Sequence, residues 1–579
     1  MATETIVSPG VLLKEIDRSF ISPGTDPSGL AIIGPAVKGP IEVPTLVTNY
    51  NDYKNIFGTT LNSASNAFEY FTSLATKNYF QNGGSTALIT RVVNTATNWK
   101  PASSSAITDN GANITGGPFV LETLGKGVLL NSLGPEYTGG ALHSGSKDNI
   151  RYEISNVNSK SGTFTLSIRR GDDTTNAPIV LEQFTNCSLD PLSPNYISQK
   201  IGDQFYVKDS SDSNNVINNL RGEYPNRSQF IRVQTVNSPT YEYLLPNGNV
   251  NSNSSNTFDQ LLPTAQTGKF GGGAGSNTAG NPLFGASISS TNIQGLGTSD
   301  YNHAISLLKN KEEFKFKTII TPGLNRTDHS STIDTLIANT TFRGDSLFVL
   351  DTVKYAGALA DVKTQAEGID SNYAATYWPW AQVKSSELGR NVWCPSSVVI
   401  PGVFAKNDSI AAPWFAPAGL TRGGITNVIK VEKKLSKTQR DDLYTSKVNP
   451  LATFPGQGIV VFGQKTLQQG TSALDRVNVR RLLLDVKDTI GGFSRKLVFE
   501  QNTQQTRDRF IRQATPYLES LVQRQGLYAF QIKADGQLNT PDIVDENKLV
   551  GQVFLQPTKT AEFVVLDFVL TPTGASFTD

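Results

Sequence analysis

The sequence predicts a multidomain α+β chain. It has a split α/β core, a β-rich insertion between the two halves, and a C-terminal α+β domain with strands left over for exchange. Three observations carry this reading. Short apolar runs at residues 31–34, 86–93, 316–320 and 346–350 alternate with helix-spaced segments, the pattern of a parallel sheet covered on both faces. Between residues 96 and 310 helical spacing gives way to Asn, Ser, Thr and Gly punctuated by alternating strands. The last hundred residues hold two amphipathic helices and then three strands.

Residues 1–29 read as an N-terminal arm and linker. Val11, Leu12, Leu13, Lys14, Glu15 and Ile16 form a short strand pattern, tethered through Ser22-Pro23-Gly24 and Asp26-Pro27-Ser28-Gly29. Eight or so extended residues reach roughly 25 Å. A lone strand cannot satisfy its own backbone groups, so it must pair with a sheet in this chain or in another. Residues 30–95 form the first part of the core, with strands at 31–34 and 44–47 and helices at 51–57 and 63–80. The second helix presents Phe68, Phe71, Leu74 and Ala75 on one face; Asn82-Gly83-Gly84 stops it before the buried strand at 86–93.

Residues 96–310 are the insertion, one or two domains, with strands at 163–169 and around 230–233 and the run Gly271-Gly272-Gly273-Ala274-Gly275 in a flexible loop. Residues 311–470 resume the core, and Ser436 with Gln439 makes a capping box opening a helix through Leu443 and Tyr444. Residues 471–560 form the C-terminal domain. A helix over 474–490 turns Val479, Leu482, Leu483 and Val486 inward. A second over 503–525 carries Phe510, Leu518 and Val522, with Pro516 kinking it. Strands follow at 528–533 and 549–556. Residues 561–579 are a C-terminal arm whose strand, 563–570, contains Val564, Val565, Leu566, Phe568 and Val569.

Composition excludes several classes. The 579 residues carry 51 Lys+Arg and 50 Asp+Glu, a formal charge of +1. That balance gives no global electrostatic case for nucleic acid or an anionic membrane. The longest apolar stretch, 563–570, is broken by Asp567 and too short to span a bilayer, and the first residues lack the apolar core of a signal peptide. Cys187 and Cys394 are too few for a disulfide framework or a thiolate metal site, and His143, His303 and His329 have no motif spacing. There is no phosphate-binding G-x-x-x-x-G-K-[ST], H-E-x-x-H, C-x-x-C or G-x-S-x-G. No cofactor and no enzymatic activity are therefore expected. A carbohydrate-binding or hydrolysing role for the insertion stands as the alternative from a different class, because glycosidase carboxylates can be scattered in sequence.

The near-zero total conceals a split. Arg480, Arg481, Lys487, Arg495, Lys496, Arg507, Arg509, Arg512 and Arg524 make residues 476–533 basic. Beyond them Asp542, Asp545, Glu546, Glu562, Asp567 and Asp579 face only Lys548 and Lys559. Such a split is either a set of solvated helix faces or a pair of complementary assembly surfaces, where charge fixes register between partners.

Particular motifs add a resemblance. Ser8-Pro9-Gly10-Val11-Leu12-Leu13-Lys14-Glu15, Ile33-Gly34-Pro35-Ala36-Val37-Lys38-Gly39-Pro40, Pro44-Thr45-Leu46-Val47 and Asn55-Ile56-Phe57-Gly58 occur in this order. More specific are Val398-Val399-Ile400-Pro401-Gly402-Val403-Phe404-Ala405-Lys406-Asn407-Asp408 with Trp414-Phe415-Ala416-Pro417-Ala418-Gly419. So are Asn449-Pro450, the run from Phe454 through Pro455-Gly456-Gln457-Gly458 to Gly463, and Val477-Asn478-Val479-Arg480-Arg481-Leu482. In these stretches, across roughly residues 5–95 and 311–570, the chain resembles the contractile tail sheath proteins of phages. It departs from them in lacking Gly near Ser397 and Val398 and Arg near Lys406.

The resemblance implies a structural subunit that is a homo-oligomer, stacked as six-fold rings or a helical sheath around a tail tube protein, with baseplate and tail terminator proteins as further partners. It implies a virion component assembled in the host bacterial cytoplasm, or the sheath of a headless injection device. The core and the inner C-terminal domain would lie near the tube, with the insertion facing outward. Arms would donate strands to neighbours: Val11, Leu12, Leu13, Lys14, Glu15 and Ile16 from one end, Val564, Val565, Leu566, Phe568 and Val569 from the other. The acceptor would be the sheet bearing Tyr528, Phe530, Ile532, Val553 and Leu555. Arg507, Arg509 and Arg512 would face the tube. With no nucleotide site in the sequence, the work of contraction would be stored in a kinetically trapped extended assembly.

Overall fold

The computed structural model describes residues 28–63, 66–131, 147–209, 211, 216–252, 257–275 and 287–562. Both donor-strand segments, Val11 to Ile16 and Val564 to Val569, lie outside the described residues, as does His143.

An eight-stranded sheet organises the core. Its spatial order is Thr45–Val47, Ala87–Arg91, Ser28–Gly34, Phe316–Asn325, Leu347–Asp351, Ala374–Trp378, Asn449–Phe454 and Gly458–Val461. The six inner strands run parallel, and the two outermost are antiparallel to their neighbours. Buried apolar runs become central strands here because both faces are covered. Leu30 and Ile32 point into one apolar layer and Ala31 and Ile33 into the other, all with no exposed surface. Helices Phe71–Gln81 and Ser396–Ile410 pack on the first face, and Asn302–Leu307, Ser330–Arg343 and Leu359–Glu367 on the second.

Strand Ser28–Gly34 pairs on one side with Ala87–Arg91 and on the other with Phe316–Asn325, more than 220 residues further on. Between them a seven-stranded antiparallel sheet forms its own core around Phe119, Tyr152, Phe164, Leu166 and Ile231. Its base is clamped: Lys100 N–H donates to Ala274 O at 3.0 Å and Ala274 N–H returns to Lys100 O at 3.2 Å. Just below, buried Arg91 donates to Gly39 O at 2.6 Å and to Lys126 O at 3.2 Å, and its guanidinium lies over the Trp99 ring.

Four sequence expectations need correction. Residues 63–69 are not helical. Strands Thr60–Ser63 and Asn66–Glu69 pair antiparallel, and the helix starts only at Phe71. Phe68 there opposes Leu61 across the strands, so its helical spacing to Phe71 was coincidental. Residues 293–308, grouped with the insertion for their polar texture, instead pack Ile293, Leu296, Tyr301, Ala304, Ile305 and Leu308 under the eight-stranded sheet. The run Gly271 to Gly275 is not a flexible loop, since Asn131 bonds both N–H and C=O of Gly273 at 2.9 Å beside the Ala274 clamp. In helix Val477–Arg495 it is Leu484, not Leu483, that is fully turned inward. The capping box at Ser436 and Gln439 is present, opening helix Lys437–Thr445.

Among the described residues no helix is long and apolar enough to cross a membrane.

Candidate functional site: the C-terminal joint and ribbon

A dense set of polar contacts gathers where the core meets the C-terminal region. The last turn of helix Ser396–Ile410 carries Asn407 and Asp408, and the Asn407 amide braces the chain that follows by donating to Ala412 O at 2.9 Å and Phe415 O at 3.2 Å. Trp414 then docks against the end of helix Gln504–Gln523, with its indole N–H donating to Arg524 O at 3.0 Å and the Arg524 guanidinium above its ring. Asn478 donates to Trp414 O at 3.2 Å. Asp408 receives Arg481, which also covers the Phe404 ring, while Arg480 stacks 4.0 Å from the Tyr373 centroid and donates to Asn372 O. Two cations of the basic stretch, Arg480 and Arg481, are thus buried structural groups rather than solvated ones.

The C-terminal region is built on helices Val477–Arg495 and Gln504–Gln523 and a two-stranded antiparallel ribbon, Leu527–Lys533 with Gln552–Pro557. Leu482, Val486, Leu518 and Leu521 form its buried core. Of the residues expected to form an acceptor sheet, Phe530 opposes Leu555 and Ile532 opposes Val553 across the ribbon, and all four pack inward on this core. Tyr528 does not join them; it is 66% exposed on the other side, as is Phe554 at 48%. Among the described residues neither strand has a second neighbour, so both outer edges present unpaired backbone groups.

Beside the ribbon lies a groove of about 1100 Å³ lined by Trp414, Phe415, Arg440, Phe462 and Tyr528. The segment after the ribbon runs along it and is held at its end. Glu562 accepts from Arg476 Nε at 2.7 Å and Nη2 at 3.0 Å, from Tyr444 Oη at 2.8 Å and from Gln464 Nε2 at 3.1 Å. Gln464 also donates to Thr560 at 2.6 Å, and Thr558 bonds Gln525 O and Gly526 O. Burial acts to raise the Glu562 pKa, but the hydrogen bonds from Arg476, Tyr444 and Gln464 outweigh it, so the carboxyl sits below its usual range. The clamp therefore contributes above the ordinary glutamate range and is lost as pH falls through the lowered value. Glu562→Ala removes charge-assisted bonds of about 2 kcal/mol in all, so local opening should rise about thirtyfold. Limited trypsin cleavage after exposed Lys559 should accelerate accordingly, and an unchanged cleavage rate would refute the clamp.

The three arginines proposed to face a tube do not share a surface. Helix Gln504–Gln523 buries Phe510, Ala514, Leu518 and Leu521. At 100° per residue Arg509 and Arg512 fall on the opposite, solvent side, where Pro516 and Glu519 are also exposed. Arg507 turns toward the packed side, half-buried, with Nε on Thr503 O at 3.4 Å.

Elsewhere the titratable groups are structural. His329 accepts from Asn325 N–H at 3.1 Å and its Nε2 lies 2.9 Å from Ser289 O; His303 Nδ1 lies 3.2 Å from Glu42. Cys187 and Cys394 are free and buried, and burial pushes the Cys187 thiol up to about 11. Among the described residues no group of three His, Cys, Asp or Glu side chains is placed to hold a metal ion. Sequence reasoning missed the Glu562 clamp because Arg476 is 86 residues away; its signal was an acid immediately before the apolar run at 563–566.

Comparison with known proteins matches the same region. Residues 294–467 match the phage tail sheath protein central domain, and residues 469–571 match the phage tail sheath C-terminal domain. The tail sheath protein of Enterobacteria phage T4 is 34% identical over 226 residues, covering 38% of this chain and 33% of that protein. That of Vibrio phage KVP40 is 35% identical over 219 residues, covering 38% and 32%. The match thus spans about a third of the length of these relatives. A crystal structure of a sheath tail protein from Listeria innocua, 10% identical, superposes over 88% of this chain and 90% of that one with a TM-score of 0.49. Across residues 294–467 and 469–571 the chain thus matches the phage tail sheath family, by the central-domain and C-terminal-domain models and by these relatives.

Proposed function

We propose that the chain is the structural subunit of a contractile tail sheath, polymerising as stacked six-fold rings around a tail tube and shortening to drive the tube through the host envelope. The observation that carries this is the two-stranded ribbon, both of whose edges are unpaired among the described residues, beside the Glu562 clamp. An isolated two-stranded ribbon is marginal. Strands at 11–16 of one neighbour and 564–569 of another complete it by main-chain pairing. Such strand addition lets subunits rotate as rigid bodies during contraction while staying joined. The split core lies inward and the seven-stranded sheet outward. Baseplate and terminator proteins cap the ends, and assembly takes place in the bacterial cytoplasm.

On this reading Arg509 and Arg512 face the tube. Reversing both to Glu should reduce sheath formation on tubes at least tenfold while sheath-only polymers form normally. Equal loss of both would refute the assignment. The function itself is tested by electron microscopy of the purified full-length chain. Long hollow tubes are expected, and a protein that stays monomeric across concentration and salt would overturn the reading.

A further inference from the structure

A second charged feature lies away from the ribbon. A cleft of about 320 Å³ opens between the start of strand Phe316–Asn325, the turn after helix Ser330–Arg343, and helix Val477–Arg495. Six cations line it, Lys311, Lys315, Lys317, Arg343, Lys487 and Arg495, against two carboxylates, Asp345 and Asp488. Part of this charge is used locally. Arg343 holds Asp345 at 2.9 Å and two carbonyls, and Lys317 pairs with Asp485 at 2.6 Å. Lys487 donates to the Tyr373 hydroxyl at 3.2 Å. Lys311 and Arg495 are exposed and have no carboxylate partner among the described residues.

The complement of this cleft is carried by the same chain. The connection between the ribbon strands contains a short helix, Pro541–Asp545, whose Asp542 and Asp545 are exposed three residues apart, hence on one face. Glu546 adjoins them and is already paired with Lys548 at 2.6 Å. Among the described residues no ion pair joins the basic and acidic sets within the subunit.

We infer that the basic cleft around Lys311 and Arg495 receives the acidic face, Asp542 and Asp545, of a second copy of this chain. Where a given neighbour engages only one of the two patches, the contact is heterologous and repeats head-to-tail into rings or helical filaments. Main-chain strand pairing is tolerant of sequence, whereas opposed charges fix register. The contact therefore selects which neighbour is engaged. This inference rests on the sheath reading and adds to it a second, electrostatic contact.

The test is a charge swap in the full-length chain. Lys311→Glu with Arg495→Glu, and separately Asp542→Lys with Asp545→Lys, should each lower the fraction pelleted as assemblies at least tenfold, with unchanged circular dichroism and melting. Combining all four should restore it to within about threefold of wild type, because the pair is reversed rather than removed. Failure of the combined variant to recover, with its fold intact, overturns the contact. Normal assembly by either reversed pair overturns it alone, and if heparin retention is lost at the same time the cleft belongs to a polyanion instead. A wild-type chain that forms no assemblies overturns the sheath reading and this contact together.

Discussion

A chain lacking residues 1–20 should fold normally and form no tubes. The fold should survive because every described strand of the core sheet lies at or beyond Ser28, and all five apolar clusters are built from later residues. Assembly should fail because the deletion removes the strand at 11–16. At about 1 kcal/mol net per backbone hydrogen bond, a six-residue strand making three or four such bonds contributes about 3–4 kcal/mol to each contact. At 1.4 kcal/mol per factor of ten, the concentration needed for assembly rises by two to three orders of magnitude, out of the micromolar range. Sedimentation and electron microscopy at matched concentration decide it. Truncated protein that polymerises at the wild-type concentration would exclude strand donation from this end.

Asp351 should govern the stability of the core more than any surface ion pair. It ends strand Leu347–Asp351 with its carboxyl fully buried at the start of helix Ser396–Ile410. There it accepts from the Ser397 N–H at 3.1 Å, the Ser396 hydroxyl at 3.2 Å and the Ser397 hydroxyl. It is a helix cap supplied from a distant strand, and the helix dipole favours its charge. Burial nevertheless dominates and pushes its pKa up to about 6, with the serine bonds opposing. For an acid with a raised folded value, the contribution is full below the unfolded value near 3.8 and lost as pH rises through about 6. About two units at 1.36 kcal/mol each amount to about 3 kcal/mol. Asp351→Asn keeps an acceptor and removes the titration. Relative to wild type it should therefore gain about 3 kcal/mol between pH 4 and pH 7 in chemical denaturation. Parallel pH curves for the two proteins would refute this. Asp351→Ala, which leaves the buried Ser397 N–H and hydroxyl without their acceptor while Ser396 keeps the Tyr377 carbonyl at 2.6 Å, should cost about 3 kcal/mol at low pH.

The parts of the fold legible in sequence were those specified by local pattern. The runs around Ile32, Ile89, Ile319 and Val349 announced a doubly covered parallel sheet because each is apolar on both faces. The Ser436 and Gln439 pair announced its helix because a capping box is contained within four residues. What stayed hidden depends on distance. Asp351 meets Ser397 46 residues on, and Glu69 meets Ser385 across 316 residues, so nothing near either acid marks it as buried. The short strand pair ending at Glu69 was read as helix because Phe68, Phe71 and Leu74 happen to repeat at helical intervals. The ribbon strands were visible, but their open edges are a property of what does not pair with them, which no local pattern encodes.

The clamp between Lys100 and Ala274 has a consequence for how such a chain can change. Paired strand residues stand only ~5 Å apart, so the segment between them begins and ends at one point on the core. Closing that gap with a two- or three-residue turn would require almost no movement of the core sheet. The seven-stranded sheet is therefore an exchangeable cassette: a different domain, or a foreign one, can be seated on the same pair of residues, while Arg91 and Trp99 beneath keep the socket rigid.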